Sequence, residues 1–168
     1  CQFNYASALL SSFSWSEAWP LYESRFHRKS SVHVAPAGIR PLNQSISPRN
    51  RKILVFGEQG LGDTVMMASM LQQAIDEAAS CSVFVQPRLE KWFAEAFPRA
   101  SVMSRIDAAK FEAMDSCYGI GSLGQFYRNS SDQFPGNPYL RISDQAVLDA
   151  WRLKLQSLGP GLKIGVAW

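Results

Sequence analysis

Three features of the sequence predict an α/β fold, a parallel sheet preceded by a short α-helical hairpin. Short apolar runs alternate with amphipathic helical stripes from residue 51 onward, the pattern of a right-handed parallel sheet. The first run, Ile53-Leu54-Val55-Phe56, is continuously apolar, as a strand buried on both faces must be. Residues 1–27 carry apolar side chains at helical spacing.

In the hairpin, Phe3, Ala6, Leu10 and Phe13 fall on one face of a first helix. Ser14-Trp15-Ser16-Glu17 reads as a capping box that starts a second. Its stripe is Trp15, Ala18, Trp19, Tyr22 and Phe26, with Pro20 expected in the first turn or so, where proline costs little. Residues 28–50 lose periodicity and are punctuated by Pro36, Gly38, Pro41 and Pro48, so a linker is expected.

The α/β unit is expected over 51–160. After the first strand, the turn Gly57-Glu58-Gln59-Gly60-Leu61-Gly62-Asp63-Thr64 leads into a helix over about 63–79, with Met67, Met70, Leu71, Ala74, Ile75 and Ala78 inward. A second strand is expected at 82–86, then a helix from Pro87 with Leu89, Trp92, Phe93 and Phe97 inward. A short third strand is expected at 101–104 and a fourth within 113–118, followed by Gly121-Ser122-Leu123-Gly124 and a Pro/Gly/Asn loop. Ser143 is expected to cap a last helix with Val147, Leu148, Trp151, Leu155 and Leu158 inward, ended by Gly159 and Pro160. Residues 161–168 read as a strand just begun. With Cys at residue 1 and a helical pattern already under way there, both ends look cut, and a segment of a longer protein is expected.

Bulk properties narrow the function classes. A chain of 168 residues can bury a core without disulfide staples. Its 46% hydrophobic and 18% charged residues are ordinary for a globular protein. The net charge of +3 is spread out, with one knot at Arg49, Arg51 and Lys52 that reads as solvated linker, so no nucleic-acid partner is expected. Three scattered cysteines argue against a disulfide framework and fit a reducing, cytoplasmic compartment. No C-x-x-C is present and the two histidines, His27 and His33, lie in a polar stretch, so no metal site is expected. The N-terminus lacks the pattern of a signal peptide, and no apolar run reaches membrane-span length.

The turn at 57–64 is the one place where the sequence suggests chemistry. It follows the first strand, at the edge where ligands bind in open α/β sheets. Gly57, Gly62 and Thr64 match a phosphate-loop pattern, but Asp63 stands where that loop needs lysine. A carboxylate there would repel a phosphate by several kcal/mol relative to a lysine, taking roughly 4 Å and an effective dielectric near 20. The glycine spacing also fails the dinucleotide fingerprint, and no acidic residue lies near 83 to take a ribose. Two readings of Asp63 stay open: a carboxylate accepting helix amides, or a general base at the cleft. The glycines are expected to permit positive φ and close approach of another molecule.

The stretch 51–71, RKILVFGEQGLGDTVMMASML, resembles the first strand, loop and helix of glycosyltransferase family 9, the heptosyltransferase-like group, in its branch linked to tetratricopeptide repeats. WSEAWPLYESRF at 15–26 resembles the last repeat helix of that branch, GSLGQFYR at 121–128 its loop after the fourth strand, and FPGNPYLRISDQAVLDAWRLKL at 134–155 a later segment and helix. KIGVAW at 163–168 resembles the strand that opens a second domain. The resemblance implies a GT-B architecture of two Rossmann-like domains, of which this chain would hold the acceptor-binding half of an inverting glycosyltransferase, inactive alone. It implies Asp63 as catalytic base, with Gly60, Leu61, Gly62 and Thr64 shaping the turn and Ser122 as an acceptor-side contact. It implies a sugar or glycan acceptor as partner and no metal. The nucleotide-sugar donor would bind the missing second domain, so no cofactor is expected on this chain. Two departures stand out: Gly124 replaces the usual Pro, and an arginine usual near Ser69 is absent. The alternative reading is a non-enzymatic protein-interaction module on a Rossmann-like scaffold, in which the helical hairpin docks a partner; a phosphate- or sugar-phosphate-binding protein is a third.

Overall fold

The computed structural model describes residues 2–27, 39, 41–105 and 111–165. It is an α/β unit with a four-stranded, all-parallel sheet in the order β3-β2-β1-β4, Rossmann-like, with a helical hairpin on its N-terminal side. The strands are β1 (Lys52–Phe56), β2 (Ser80–Phe84), β3 (Ser101–Met103) and β4 (Ser116–Gly119). Strand β1 is central, pairing Ile53 with Cys81 on one side and with Ser116 on the other.

Both faces of β1 are covered, which is why its residues run apolar without alternation. Ile53 and Val55 face a large cluster with Leu71, Ile75, Phe93 and Phe97. Leu54 and Phe56 face a smaller one with Ile39, Cys117 and Phe26. The first cluster is closed by α3 (Leu61–Met67), α4 (Leu71–Glu77), α5 (Pro87–Ala96) and α6 (Gly124–Tyr127). The predicted single helix over 63–79 begins at Leu61 and is divided by a 3₁₀ turn at Ala68–Met70, yet Met70, Leu71, Ala74 and Ile75 are buried as expected. In α5 the inward residues are Leu89, Phe93 and Phe97, one helical row at i, i+4, i+8; Trp92, adjacent to that row, is 52% exposed rather than inward.

The hairpin is α1 (Gln2–Ser11) and α2 (Trp15–Tyr22), with a 3₁₀ turn at Glu23–His27. It departs from expectation in detail. Phe13 lies in the turn at φ 64° and is exposed, because the chain must reverse there. The Ser14 side chain makes no capping bond, so the capping box does not form; its carbonyl accepts from Ala18 instead. Pro20 sits near the end of α2, not in its first turn, and the helix gives way to 3₁₀ geometry three residues later.

The hairpin packs on the α/β unit through its aromatic stripe. Trp19 and Tyr22 are buried. The Trp19 indole N–H donates to the Arg128 carbonyl at 2.7 Å. Phe26 meets Phe56 at 6.1 Å between ring centroids, and Trp15 meets Phe134 at 4.8 Å. Gly124 has a packing reason: a Cβ there would lie 2.5 Å from the Trp19 ring.

Of the predicted linker, Ile39 is buried and Leu42 forms an antiparallel bridge with Cys117, so its later part lies along the β4 edge; residues 28–38 and 40, His33 among them, lie outside the described residues. Tyr139 fastens the 134–143 segment to α3, its hydroxyl donating to the Val65 carbonyl at 2.8 Å. The last helix, α7 (Gln145–Ser157), is capped by the Asp144 carboxylate, which accepts from the amides of Ala146 and Val147; Ser143 instead donates to Glu95. None of its residues is buried: Val147, Trp151 and Leu155 are exposed, Leu148 is half-buried, and Leu158 at its C-cap is exposed as well. Gly159 ends it with φ 80°, as predicted. Residues 161–165 form no strand, and 166–168 lie outside the described residues.

No described helix is long and apolar enough to cross a membrane. Burial pushes the thiols of Cys81 and Cys117 up to about 12. In the folded chain at pH 8, an alkylating reagent should leave these two thiols unmodified and reach them only after urea unfolding, as mass spectrometry of the digested protein would show. Gly124→Ala should lower the urea-unfolding free energy by about 1–3 kcal/mol, since Trp19 must be displaced to admit the methyl group.

Candidate functional site

The turn at 57–64 leaves the carboxyl end of β1, where the sheet ladder continues one bond further, Gly57 donating to the Phe84 carbonyl at 2.9 Å. Beyond it Glu58 turns inward and is 4% exposed. Its carboxylate meets Arg25, from the 3₁₀ turn of the hairpin, in a side-on bidentate pair: Nε to Oε2 at 2.8 Å and Nη2 to Oε1 at 2.7 Å. Arg25 uses all its donors. Nη1 bonds Glu23 Oε1 at 2.7 Å and the Tyr22 carbonyl at 3.1 Å, and Nη2 also bonds Ser122 Oγ at 2.7 Å. The rings of Tyr22 and Phe26 lie 4.3 and 4.1 Å from the guanidinium carbon. Burial opposes the charged guanidinium, but Glu58 and Glu23 outweigh it and hold its pKa above the ordinary value.

The second loop closes the network. The Gly121 amide donates to Glu58 Oε1 at 3.0 Å, and the Ser122 hydroxyl donates to Glu23 Oε2 at 3.0 Å. Gly119 and Gly121 have no side chain because Glu58 occupies the space; added Cβ atoms would lie 2.6 and 3.0 Å from its Oε1. The next residue, Gln59, donates to the Tyr22 hydroxyl at 2.7 Å. Burial raises the Tyr22 phenol pKa, and the charges of Glu58 and Asp63 add to the rise.

Asp63 differs from its neighbours. It lies in the first turn of α3, is exposed, and makes no hydrogen bond or ion pair with the described residues. The reading of Asp63 as a carboxylate consumed by helix amides therefore does not hold here. Gly60 is the N-cap at φ −61°, and a Cβ on it would lie 3.3 Å from Asp63 Oδ2, so its bare Cα leaves room for that carboxylate. Gly62 faces open space. None of Gly57, Gly60 and Gly62 takes positive φ; Gly57 and Gly60 serve close approach, to Thr64 and Asp63, not backbone handedness.

The other predicted site residues divide. Leu61 packs against the main core. Thr64 is buried, its side chain 3.1 Å from where a Gly57 Cβ would stand. Ser122 is fully buried inside the Arg25–Glu58 network, so its hydroxyl is occupied by protein partners and does not open toward an acceptor. Local sequence does not pair Glu58 with the Tyr22-Glu23-Ser24-Arg25 run; a lone carboxylate next to an apolar strand is the signal that a cation must meet it. Among the described residues no group of His, Cys, Asp and Glu side chains is placed to hold a metal ion.

Replacing Arg25 by Met should destabilise the fold by about 3–5 kcal/mol in urea unfolding, because Glu58 is left buried and unpaired. Adding Glu58→Leu to that variant should restore much of the loss.

No family model and no solved structure matches the chain. It is similar to Protein FlbA of Caulobacter vibrioides, with 30% identity over 187 aligned positions covering 99% of this chain and 31% of FlbA. The chain thus spans about a third of the length of that relative.

Proposed function

We propose that this chain is the acceptor-binding part of an inverting glycosyltransferase of the tetratricopeptide-linked, family 9 type, with Asp63 as general base. The observation that carries this reading is the contrast inside one loop. Glu58 and Gln59 are spent on anchoring it, while Asp63, four residues on, is exposed at the carboxyl edge of the sheet with its carboxylate unspent. A base must be reachable by its substrate and free to accept a proton.

In the proposed reaction an acceptor hydroxyl gives its proton to Asp63 as its oxygen bonds the anomeric carbon of a nucleotide-sugar. The bond from that carbon to the donor phosphate breaks, and its electron pair leaves with the nucleotide. Attack opposite the leaving group inverts the anomeric centre. The phosphates would be held by a second domain; the loop, with Glu23 and Glu58 paired to Arg25 and Asp63 exposed beside them, is a poor place for them. Leu61 and Thr64 would hold the turn, and the open space at Gly62 would let the acceptor approach.

The alternative, a non-enzymatic interaction module, loses its expected surface, since Trp19 and Tyr22 are buried against the α/β unit. It keeps one observation, the exposed apolar residues of α7. The experiment that separates the two is Asp63→Asn in the full-length protein. Transfer should fall by about 10²-fold or more with the unfolding curve unchanged; undiminished turnover would sink the base assignment.

A further inference from the structure

A cavity of about 740 Å³ lies apart from the loop that carries Asp63, between α4, the end of α5 and the 134–143 segment. Its size is that of a small-molecule site. The residue that distinguishes it is Arg128, which lines the cavity and is only 3% exposed.

Arg128 is held by neutral groups alone. Nη1 donates to Gln73 Oε1 and to the Tyr127 carbonyl, each at 2.6 Å, and Nη2 donates to the Ser69 carbonyl at 2.9 Å. One donor on Nε and one on Nη2 have no acceptor among the described residues, and no described carboxylate forms an ion pair with it. Arg25 spends these same two nitrogens on the bidentate pair with Glu58. Arg128 therefore keeps two charged donors, on Nε and Nη2, with which it could meet an oxyanion. Burial lowers its pKa with no charge partner to offset the effect. Phe134, 5.5 Å from the guanidinium carbon, contributes only a ring face.

The rest of the lining fits a polar anion. Arg141 adds a second, exposed cation, while Glu95 is the lining carboxylate and accepts from Ser143. Gln72 and Asn137 bring side-chain amides suited to hydroxyl groups. We propose that this cavity binds a small hydroxylated organic anion, its carboxylate or phosphate seated on the open edge of Arg128. The site stands whether or not the chain takes part in sugar transfer.

The test is titration of the full chain with glucose 6-phosphate, glucuronate, glucose and inorganic phosphate, followed by calorimetry and by amide NMR. At least one charged sugar should bind saturably, with shifts centred on residues 72–73, 128 and 134–141, and glucose should not. Which charged sugar binds identifies the oxyanion as phosphate or carboxylate. Arg128→Gln should weaken binding about tenfold or more, as loss of a charge-assisted pair does. Arg141→Gln, a change at an exposed residue, should weaken it less. If Arg128→Gln fails to fold, the shift map of the native chain still decides. Absence of binding by both charged sugars, equal binding of glucose, shifts elsewhere, or phosphate binding as tightly as the sugars would each overturn the proposal.

Discussion

The bidentate pair between Arg25 and Glu58 joins two segments 33 residues apart in a place that water barely reaches. Glu58 stands at the exit of the central strand, and Arg25 is on the hairpin that precedes the sheet. Burying either charge alone would cost several kcal/mol, so neither segment can take its place without the other. The pair adds little stability of its own against a hydrophobic replacement. What it supplies is register: with every Arg25 donor occupied and two rings against its faces, the hairpin has one orientation over the loop.

Much of the surrounding sequence follows from that constraint. Gly119 and Gly121 are bare because the carboxylate stands where their Cβ atoms would be. Ser122 is a small hydroxyl because it must donate to Glu23 while accepting from Arg25. Gly124 yields to the ring of Trp19, whose indole N–H ties the hairpin to the strand-four loop a second time. The hairpin thus packs against the turn that carries Asp63, through Arg25 on Glu58 and Tyr22 on Gln59.

Arg25 and Arg128 illustrate how one residue type divides by context. Both are nearly fully buried. Arg25 is met by two carboxylates and its charge is favoured; Arg128 is met by carbonyls and an amide, and its charge is penalised. The exposed apolar residues of α7 show the same dependence on surroundings, since an amphipathic stripe states that a face can be buried, not that something buries it.

The strand–turn–helix order, the continuous apolar run of β1, the buried rows of α4 and the glycine stop at 159 were legible in the sequence, because they rest on local spacing and backbone preference. The place of Asp63 on the first turn of a helix followed from the same local rules, but that its carboxylate is exposed and bonded to no helix amide did not. The meeting of Tyr22-Glu23-Ser24-Arg25 with Glu58 was not legible, though both runs stood out, because nothing local says which cation reaches which carboxylate. Ser122 reads as an acceptor-side contact for the same reason, and Ser143 reads as a cap although Glu95 takes its hydroxyl and the neighbouring Asp144 caps the helix instead. Sequence by itself determined the parallel α/β scaffold, whose driving force is the periodic burial of apolar side chains. Only the tertiary structure decided which polar groups are spent inside it and which, like Asp63, are left over, because hydrogen-bond and charge partners are chosen by three-dimensional proximity.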